Sequence, residues 1–482
     1  MAVNRLAAYY AVPAPLFCAG TGGSRSLVAS YLKPEIPMGH IRWKGLRFFS
    51  VSPRSGREGR ATAEGQRQRQ VNAGMFDAVV LGSGPAGIAT VGKILDHQKS
   101  AQVLWIDPLF RGGRVGEKYG DVSRLDLTLA VVKSNTKVSL FLAYANALES
   151  FREIIRSTPT PNAITALQQL NQDAGCRLHY ASDMLLMLTE GLRRHPNVDT
   201  FFGKATSAAF HSQSSVWTVQ GEPTDSNPGQ HTFQSRALVL CTGSAPSSDN
   251  PSIPAGVAPK LNHVDLDVAL DRNALGEALP SDQDVSVGVV GSSHSAIVVI
   301  MNLYELATTS HPRIQMKWFT RRPLVYAEYM DGWILRDNTG LKGASADFAR
   351  AHLEDEALKQ SPVKRYLEKI DCSHDEVAVY REQLPKCTHL VQAIGYHRNP
   401  VPKLSVDNRP VEKLDYNPET GDIRDERGQP VPNLHGAGIA FPEKVVDPYG
   451  NTEYAVGMWK FMKYLDRVVP EWGIGNGDKG EK

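Results

Sequence analysis

The chain has 482 residues, of which 41% are hydrophobic and 22% are charged, an ordinary globular composition that excludes disorder throughout and suggests roughly three domains of about 150 residues. Lysine and arginine (53) nearly balance aspartate and glutamate (51), so the net charge of +2 gives no strong field that would favour nucleic acid or anionic lipid. The five scattered cysteines form no CxxC pair, which excludes a zinc ribbon and a thioredoxin-type dithiol; no metal site and no membrane-spanning helix are expected.

Residues 1–74 differ in composition from the rest of the chain. In the first 56 positions Glu35 is the only acidic residue, whereas arginine, lysine and serine recur. This composition is typical of a mitochondrial transit peptide. Two alternatives stay open: a secretory signal in residues 6–19, which two prolines interrupt, and a disordered tail without an address, which would leave the protein cytoplasmic. We predict a targeting segment and linker over residues 1–74 and a mitochondrial location.

The first strand–turn–helix unit begins at residue 76. The apolar run FDAVVL (76–81) is typical of a buried parallel strand, and residues 88–96 of a helix. Between them lies G-x-G-x-x-G in the context that a dinucleotide site requires. The glycines allow a tight turn, a close approach of backbone to a pyrophosphate, and close helix–strand packing. The candidate cofactor-binding residues are Gly82, Ser83, Gly84, Pro85, Ala86 and Gly87.

A second apolar strand (103–106) ends at Asp107. An acidic residue at this tip accepts hydrogen bonds from ribose hydroxyls, and its charge repels a 2′-phosphate, so the first site suits FAD or NAD rather than NADP. The glycines that follow could let a loop fold over a flat cofactor, which adds Gly113 and Arg114 as candidates. A flexible surface turn is the alternative interpretation of this loop.

The same pattern repeats from residue 285. A strand (285–290), the turn GSSHSA (291–296) and an apolar helix (297–307) follow one another, with small residues in place of two glycines. The next strand (314–319) leads to two arginines, which can bind a 2′-phosphate through bidentate, charge-assisted hydrogen bonds. We therefore predict an NADPH site. Its candidate residues are Gly291, Ser292, Ser293, Ser295, Arg321 and Arg322.

An acidic first tip and a basic second tip indicate a flavoprotein in which FAD stays bound and NADPH visits to deliver a hydride. Over residues 75–465 the sequence resembles FAD- and NAD(P)H-dependent oxidoreductases with two Rossmann domains. The second turn is similar to the G-x-G-x-S-A of flavin-dependent monooxygenases, the lysine and ornithine N-hydroxylases included. Three further segments match in order: CTG (241–243), LVQAIGY (390–396) and NLHGAGIA (433–440). The resemblance assigns cofactor contacts to Thr242, Gly243 and Gly438.

The resemblance implies an α/β fold with two Rossmann-like dinucleotide-binding domains and a small antiparallel β segment. The NADPH domain is inserted in the FAD domain, because FAD-like segments lie on both sides of it. The predicted boundaries are 75–282 for the first part of the FAD domain, 283–400 for the NADPH domain, 401–470 for the second part of the FAD domain, and 471–482 for a disordered tail.

The resemblance also suggests where chemistry takes place. A polar loop (133–137) is placed near the substrate by its order along the chain, with Lys133 and Asn135 as candidate catalytic residues. A final helix is predicted over 454–465, with Asn451 or Thr452 as its N-cap residue. The resemblance implies that the N-terminus of this helix faces the flavin, and Asn451 is therefore also a candidate cofactor contact. Residues 323–337, rich in aromatic and acidic side chains, would either line a pocket for an amine or form an ordinary packed insertion.

The function implied is that of a FAD-dependent oxidoreductase using NADPH, specifically a monooxygenase that acts on a small molecule with O2 through a hydroperoxyflavin. One alternative is a flavin-dependent NAD(P)H reductase that passes electrons to a quinone or a protein. The other is a non-catalytic, nucleotide-sensing flavoprotein. The F-x-G-x-x-x-H motif of the dimethylaniline-type and Baeyer–Villiger enzymes is not found. The substrate and the oligomeric state are not predicted.

Overall fold

The computed structural model describes residues 74–120, 133–224, 229–257 and 260–475, which lie within one compact unit. The predicted targeting segment, apart from Gly74, falls outside these residues, as do residues 476–482 of the predicted C-terminal tail. The prediction of a disordered tail is wrong for its first residues, since a 3-10 helix spans Val469–Trp472 and the side chains of Trp472 and Ile474 are buried. Within the described ranges, no helix combines the length and the apolar character needed to cross a membrane.

Strands and helices alternate through much of the described chain. The strands are β1 (Met75–Leu81), β2 (Val103–Asp107), β3 (Lys133–Lys137), β4 (Gly175–Arg177), β5 (Val198–His211), β6 (Val216–Pro223), β7 (His231–Leu240), β8 (Ser244–Pro246), β9 (Asn262–Val264), β10 (Val285–Val290), β11 (Ile314–Thr320), β12 (Glu328–Tyr329), β13 (Ile334–Leu335), β14 (Leu367–Asp371), β15 (His389–Gln392), β16 (Tyr396–Arg398), β17 (Lys403–Val406), β18 (Arg409–Val411), β19 (Asp415–Tyr416), β20 (Asp422–Arg424), β21 (Pro430–Gly436), β22 (Glu443–Val446) and β23 (Thr452–Ala455). The α-helices are α1 (Pro85–His97), α2 (Gly113–Tyr119), α3 (Val138–Asn146), α4 (Glu149–Ser157), α5 (Ala163–Gln168), α6 (Leu178–Arg193), α7 (Leu266–Leu270), α8 (Arg272–Ala278), α9 (His294–Thr308), α10 (Gly343–His352), α11 (Asp355–Gln360), α12 (Glu376–Gln383) and α13 (Met458–Val468).

The first sheet is built around β1, which pairs in parallel with β2 on one side and β7 on the other. Strands from both ends of the chain join it, in the order β18-β17-β5-β2-β1-β7-β21-β20-β19, and β6 bridges β5 and β7 with antiparallel pairing. Because successive side chains of a strand point to opposite faces, Ala78 and Val80 pack in the helix-covered core, while Val79 and Leu81 pack in the core on the other face.

The second sheet is wholly parallel in the order β14-β11-β10-β15-β9, with α9 packed against it. Each of the two sheets therefore contains a βαβ unit, in which two parallel strands are connected through a helix that packs on the sheet. Strand β9 pairs with β15, and α7 and α8 contribute to the core of this sheet. The boundary predicted at residue 283 thus separates β9, α7 and α8 from the sheet that they pack against.

Other local predictions are also wrong. The segment 133–137, predicted as a polar loop, is strand β3, which pairs antiparallel with β4. The stretch that begins at Thr452 is not the start of a helix: Thr452–Ala455 pairs antiparallel with Glu443–Val446, and α13 begins only at Met458, after Gly457. The D-P-Y-G-N sequence between these strands is a turn signal, and it favours the hairpin over an early helix start. The loop predicted around Gly113 is mostly helix α2, which Gly112 starts from a left-handed conformation with φ of 76°.

Candidate functional site

The first glycine turn joins β1 to α1 and leaves no space for side chains. A Cβ on Gly82, whose φ is 105°, would lie 2.3 Å from the carbonyl oxygen of Cys241. A Cβ on Gly87 would lie 1.9 Å from the carbonyl oxygen of Gly82. A Cβ on Gly113 would lie 2.6 Å from the Cα of Gly84, so the start of α2 crosses directly over the turn. These approaches create the bare backbone surface that a pyrophosphate needs.

Helix α1 presents its N-terminus at this turn. Gly84 is the N-cap residue, and no side chain caps the helix or places an acid in its first turn. Its first N–H groups and the positive end of its dipole are therefore directed at whatever occupies the turn. A helix N-terminus of this kind, following a glycine turn, favours an anion.

Two buried hydroxyl groups at the first turn have no hydrogen-bond partner within the described residues: Ser83 Oγ and Thr242 Oγ1. Ser83 follows the first glycine, and Thr242 follows Cys241 at the end of β7. The strand β21 leads to Gly438, where a Cβ would lie 2.5 Å from the Cβ of Ala86. The segments predicted around residues 82–87, 113, 242–243 and 438 therefore converge at one place. The two buried hydroxyl groups there could hydrogen-bond to a ligand.

Asp107 is 7% exposed, and its carboxylate already accepts three backbone N–H groups. Oδ2 accepts the N–H of Ser83 at 2.8 Å, while Oδ1 accepts those of Leu109 at 2.8 Å and Phe110 at 2.7 Å. The acid thus fixes the glycine turn to the strand tip. A carboxylate offers about four lone-pair positions, so one remains for a ligand hydroxyl.

Arg114 is directed away from the first turn. Its guanidinium forms an ion pair with Asp267 of α7, whose side chain is 7% exposed. Lys118 lies 3.9 Å from the same carboxylate. The pair joins α2, beside the first turn, to α7, which packs against the second sheet. Burial, and then the charge of Asp267, raise the pKa of Tyr396 in β16. Arg114 therefore serves as a bridge between the two halves in this structure.

The second glycine turn repeats the geometry of the first. A Cβ on Gly291, whose φ is 125°, would lie 2.3 Å from the carbonyl oxygen of Ala393. Ser293 is the N-cap residue of α9, and again no side chain caps the helix. Beside it, the Nδ1 atom of His294 lies 2.8 Å from the hydroxyl of Ser345. Burial, and then the charge of Lys342, lower the pKa of His294 at the helix N-terminus.

The tip of β11 opens onto a cavity of about 800 Å³. Arg321 and Arg322 are exposed there, and Arg321 lies 3.4 Å from Glu376. Two lysines of the lining pair with acids, Lys369 with Asp355 at 2.6 Å and Lys359 with Glu356 at 2.5 Å. Within the described chain Arg322 and a further cation, Lys364, have no ion-pair partner. The lining as a whole holds five cations and four carboxylates, a formal charge of +1. The lining residues are Thr320, Arg321, Arg322, Pro323, Leu324, Glu354, Asp355, Leu358, Lys359, Lys364, Leu367, Glu368, Lys369, Asp371 and Ser373.

No protein-family model matches the chain. Over 396 residues, however, it is 48% identical to the monooxygenase AgnR1 of Paecilomyces divaricatus, an alignment that covers 82% of this chain and 97% of that protein. The chain belongs to this monooxygenase family. It is accordingly an oxidoreductase, and its α/β fold carries the two glycine turns that the sequence predicts.

The monooxygenase also has similarities among solved structures. Ornithine hydroxylase PvdA from Pseudomonas aeruginosa gives a TM-score of 0.46 at 11% identity, covering 83% of this chain and 98% of that one. The FAD-bound cadaverine monooxygenase DfoA from Erwinia amylovora gives a TM-score of 0.40 at 13% identity, covering 78% and 84%. These scores are too low to establish a shared fold by themselves.

A pair of tryptophans supports the two turns of the monooxygenase, and we did not predict it. Trp105 Nε1 donates to the carbonyl of Gly82 at 2.8 Å, and Trp318 Nε1 donates to the carbonyl of Gly291 at 2.7 Å. Both indoles are fully buried. The signal was present in the sequence, since each tryptophan lies two residues before the last residue of the strand that follows its turn.

Three further predicted site residues belong to other elements of the fold. Asn451 lies in the β22–β23 turn, where its side-chain amide donates to Asp447 at 2.8 Å. The backbone of Lys133 and Asn135 forms part of β3, which pairs with β4, but their side chains lie outside what the structure describes. Their catalytic role stays a prediction.

Proposed function

We propose that this monooxygenase holds FAD at the first glycine turn, takes NADPH at the second, and oxygenates a small molecule with O2. The observation that carries the proposal is the duplicated turn, with a bare backbone cradle and an uncapped helix N-terminus in each copy, in a chain 48% identical to a named monooxygenase. That relationship does not favour the reductase or the nucleotide-sensing alternative.

The first turn fits FAD. The cradle formed by Gly82, Gly84 and Gly113 admits a pyrophosphate, and the orphaned hydroxyls of Ser83 and Thr242 offer it hydrogen bonds. Asp107 holds a free lone pair for a ribose hydroxyl, and the backbones of Gly243 and Gly438 complete the wall. A bound flavin would supply the electron transfer and oxygen chemistry, and the protein supplies binding, orientation and electrostatics.

The second turn fits NADPH. Gly291, Ser292, Ser293 and Ser295 lie at the uncapped N-terminus of α9, which favours a pyrophosphate. Arg321 and Arg322 at the strand tip, and Lys364 in the turn before β14, are cations of the cavity lining that can bind a 2′-phosphate. This charge supports NADPH over NADH as the reductant.

Helix α13 supports an electrostatic role at the flavin. It packs against α1, and Gly457 begins it with a φ of 144° and no side-chain cap. In the family architecture that the sequence resembles, this N-terminus faces the flavin ring. The positive end of the helix dipole would then stabilise the negative charge that a reduced flavin carries.

The test starts with the purified full-length chain. We expect it to be yellow and to release FAD on denaturation. Under anaerobic conditions NADPH should bleach the visible flavin absorption at least about tenfold faster than NADH does, as expected from losing one charge-assisted phosphate contact. When air is admitted, oxidation of NADPH should resume without an added electron acceptor. A protein that is colourless and cannot be reconstituted with FAD would refute the proposal, and NADPH oxidation only with a quinone or a dye would favour a reductase.

A further inference from the structure

Residues 337–339 contact the start of α13, although the two segments belong to different halves of the molecule. Phe461 and Leu465 of α13 are buried in the core of the first sheet. Leu341, two residues beyond the segment, is 2% exposed and lies in the core of the second sheet. The contact therefore joins the half built on the first sheet to the half built on the second, and we name it the α13 clasp. Its residues are Asp337, Asn338 and Thr339 on one side and Glu453, Val456 and Lys460 on the other.

An ion pair between the two halves forms the centre of the α13 clasp. Lys460, in the first turn of α13, lies 2.6 Å from Asp337. The side chains of Lys460 and Asp337 are 25% and 29% exposed, so solvent screens this pair less than it screens a fully exposed one. Asp337 also pairs with Lys342 of its own half. Its carboxylate is thus engaged by two lysines of the protein and is not left for an amine substrate.

Asn338 adds hydrogen bonds to three groups on the α13 side of the clasp. Its Oδ1 atom accepts from the backbone N–H of Val456 at 3.2 Å and from Nζ of Lys460 at 2.5 Å. Its side-chain amide and its backbone N–H both donate to Glu453, at 3.2 Å and 3.0 Å. The hydroxyl of Thr339 donates to the other carboxylate oxygen of Glu453 at 2.5 Å. One short segment therefore binds a carboxylate, an ammonium group and a backbone N–H of the opposite half.

The stability of α13 alone does not explain why its first turn contains Lys460. A cation in the first turn lies at the positive end of the helix dipole, where positive charge is unfavourable. Contacts with Asp337 and Asn338 offset this effect, and both of these residues come from the other half. The position of the lysine is accordingly accounted for by the contact between the halves.

The clasp is connected to both glycine turns. On one side, Lys342 donates to the backbone carbonyl of Asp337 at 2.5 Å, and its own carbonyl accepts from the hydroxyl of Ser345 at 2.8 Å. That hydroxyl lies 2.8 Å from Nδ1 of His294, the first residue of α9 at the second turn. On the other side, α13 packs against α1, the helix that begins at the first turn. A continuous series of contacts thus joins the two helices whose N-termini are assigned to the cofactors.

We propose that Lys460 and Asp337 are positioning residues that set the separation of the two cofactors for hydride transfer. The inference rests on the proposed function, in which a hydride with its electron pair leaves NADPH and passes to FAD, giving NADP+ and reduced flavin. Such a transfer requires reacting atoms about 3–3.5 Å apart, and a displacement of about 1 Å lowers the rate about 100-fold. Because the cofactors belong to turns in different halves, the contacts that fix one half on the other also fix this separation.

Stopped-flow reduction of the full-length, FAD-loaded protein by NADPH without oxygen measures this role. Lys460→Met removes the charge and keeps an unbranched side chain. We expect the limiting rate constant of flavin reduction to fall about 10- to 100-fold and the Kd for NADPH to stay the same, because neither glycine turn is altered. Lys460→Arg should restore most of the rate. A raised Kd with an unchanged limiting rate would make Lys460 a nucleotide-binding residue and overturn the proposal.

Matched controls separate positioning from the simple loss of a charge. Lys463→Met removes an exposed cation from the next turn of α13, and Glu328→Gln removes an acid whose partner, Arg336, lies in the same half. Asp337→Asn should lower the limiting rate as Lys460→Met does, and both controls should leave it unchanged. Equal losses in Lys460→Met and Lys463→Met would overturn the assignment.

Hydrogen–deuterium exchange of the same full-length proteins gives a readout that does not depend on turnover. Lys460→Met should speed exchange a fewfold in residues 336–342, which belong to the opposite half, and Lys463→Met should not. Unchanged exchange there would show that the clasp does not hold the halves together and would overturn the proposal.

The outcomes separate this inference from the proposed function. If the wild-type chain binds FAD and NADPH reduces it, but Lys460→Met and Asp337→Asn are reduced at the wild-type rate, the positioning role fails while the cofactor assignment stands. If the wild-type chain binds no FAD, the proposed function fails and the positioning role fails with it.

Discussion

The two glycine turns share their supports and differ at the adjoining strand tips. In each turn the first glycine, Gly82 or Gly291, has a positive φ, and a Cβ placed on it would lie 2.3 Å from a backbone carbonyl oxygen. In each turn a tryptophan indole N–H also donates to the carbonyl of that glycine. Two residues after each tryptophan the copies diverge. Asp107 binds the Ser83 N–H of its own turn at 2.8 Å, whereas Thr320 donates to the carbonyl of Arg322 at 2.8 Å.

The comparison distinguishes the residues that shape the glycine turn from those at the strand tip that are proposed to select the ligand. The supports are backbone and buried side chains, and they are the same in both copies. In the proposed function, the choice between a ribose hydroxyl and a phosphate rests on the buried Asp107 in the first copy and on the exposed Arg321 and Arg322 in the second. A negative tip and a positive tip can therefore be carried by one repeated scaffold.

The largest effect should come from adding a single methyl group at Gly87, the third glycine of the first turn. Gly87→Ala places a Cβ 1.9 Å from the backbone oxygen of Gly82, so the helix must move. We expect a loss of about 3 kcal/mol in the free energy of unfolding and loss of bound FAD. The second turn has Ala296 at this position, and Ala296→Gly should cost only about 1 kcal/mol. Chemical denaturation and measurement of the FAD content of both variants check this. Equal losses of stability would show that the helix packs equally closely against the strand in the two turns.

The next effect concerns the basic tip. Arg322→Ala and Lys364→Ala each remove a cation without an ion-pair partner in the described cavity. We expect the KM for NADPH to rise about 10- to 100-fold and that for NADH to stay the same, because only NADPH carries the 2′-phosphate. Lys359→Ala is the matched control, since that lysine pairs with Glu356 at 2.5 Å. An equal rise in KM for NADPH and NADH would show that these residues do not recognise the 2′-phosphate.

The tryptophans test whether the supports are equivalent. Trp105→Phe and Trp318→Phe each leave the carbonyl of a turn glycine without its indole donor. Each should cost about 1–2 kcal/mol in the free energy of unfolding, the usual result of losing a buried hydrogen bond. FAD retention should fall only for Trp105→Phe, and NADPH affinity only for Trp318→Phe. Loss of both ligands in one variant would contradict two independent cradles.

Both strand–turn–helix units could be predicted from sequence because their signals are local. A buried strand, a glycine turn and an apolar helix occupy consecutive residues, and only glycine tolerates a φ such as that of Gly82. The β22–β23 hairpin was missed because it depends on pairing Glu443–Val446 with a stretch that also suits a helix. Lys364 and the Arg114–Asp267 pair could not be foreseen, since each depends on contacts between elements distant in sequence.

The smallest effect is a pH dependence confined to the second turn, where His294 stands at the position that Pro85 occupies in the first. Burial and the charge of Lys342 lower its pKa, so the unfolded chain binds a proton more readily than the folded one does. The stability that this histidine supports is complete above the unfolded pKa of about 6.5 and is lost as the pH falls below it. His294→Gln should therefore reduce the acid-induced fall in melting temperature between pH 7 and pH 5, and the exposed His374→Gln should not. Burial also lowers the pKa of His435 in the first sheet, so part of the acid sensitivity should persist in His294→Gln. If His294→Gln and the wild-type chain lose stability in parallel, the second turn holds no titrating group of consequence, and the two turns differ only at their strand tips.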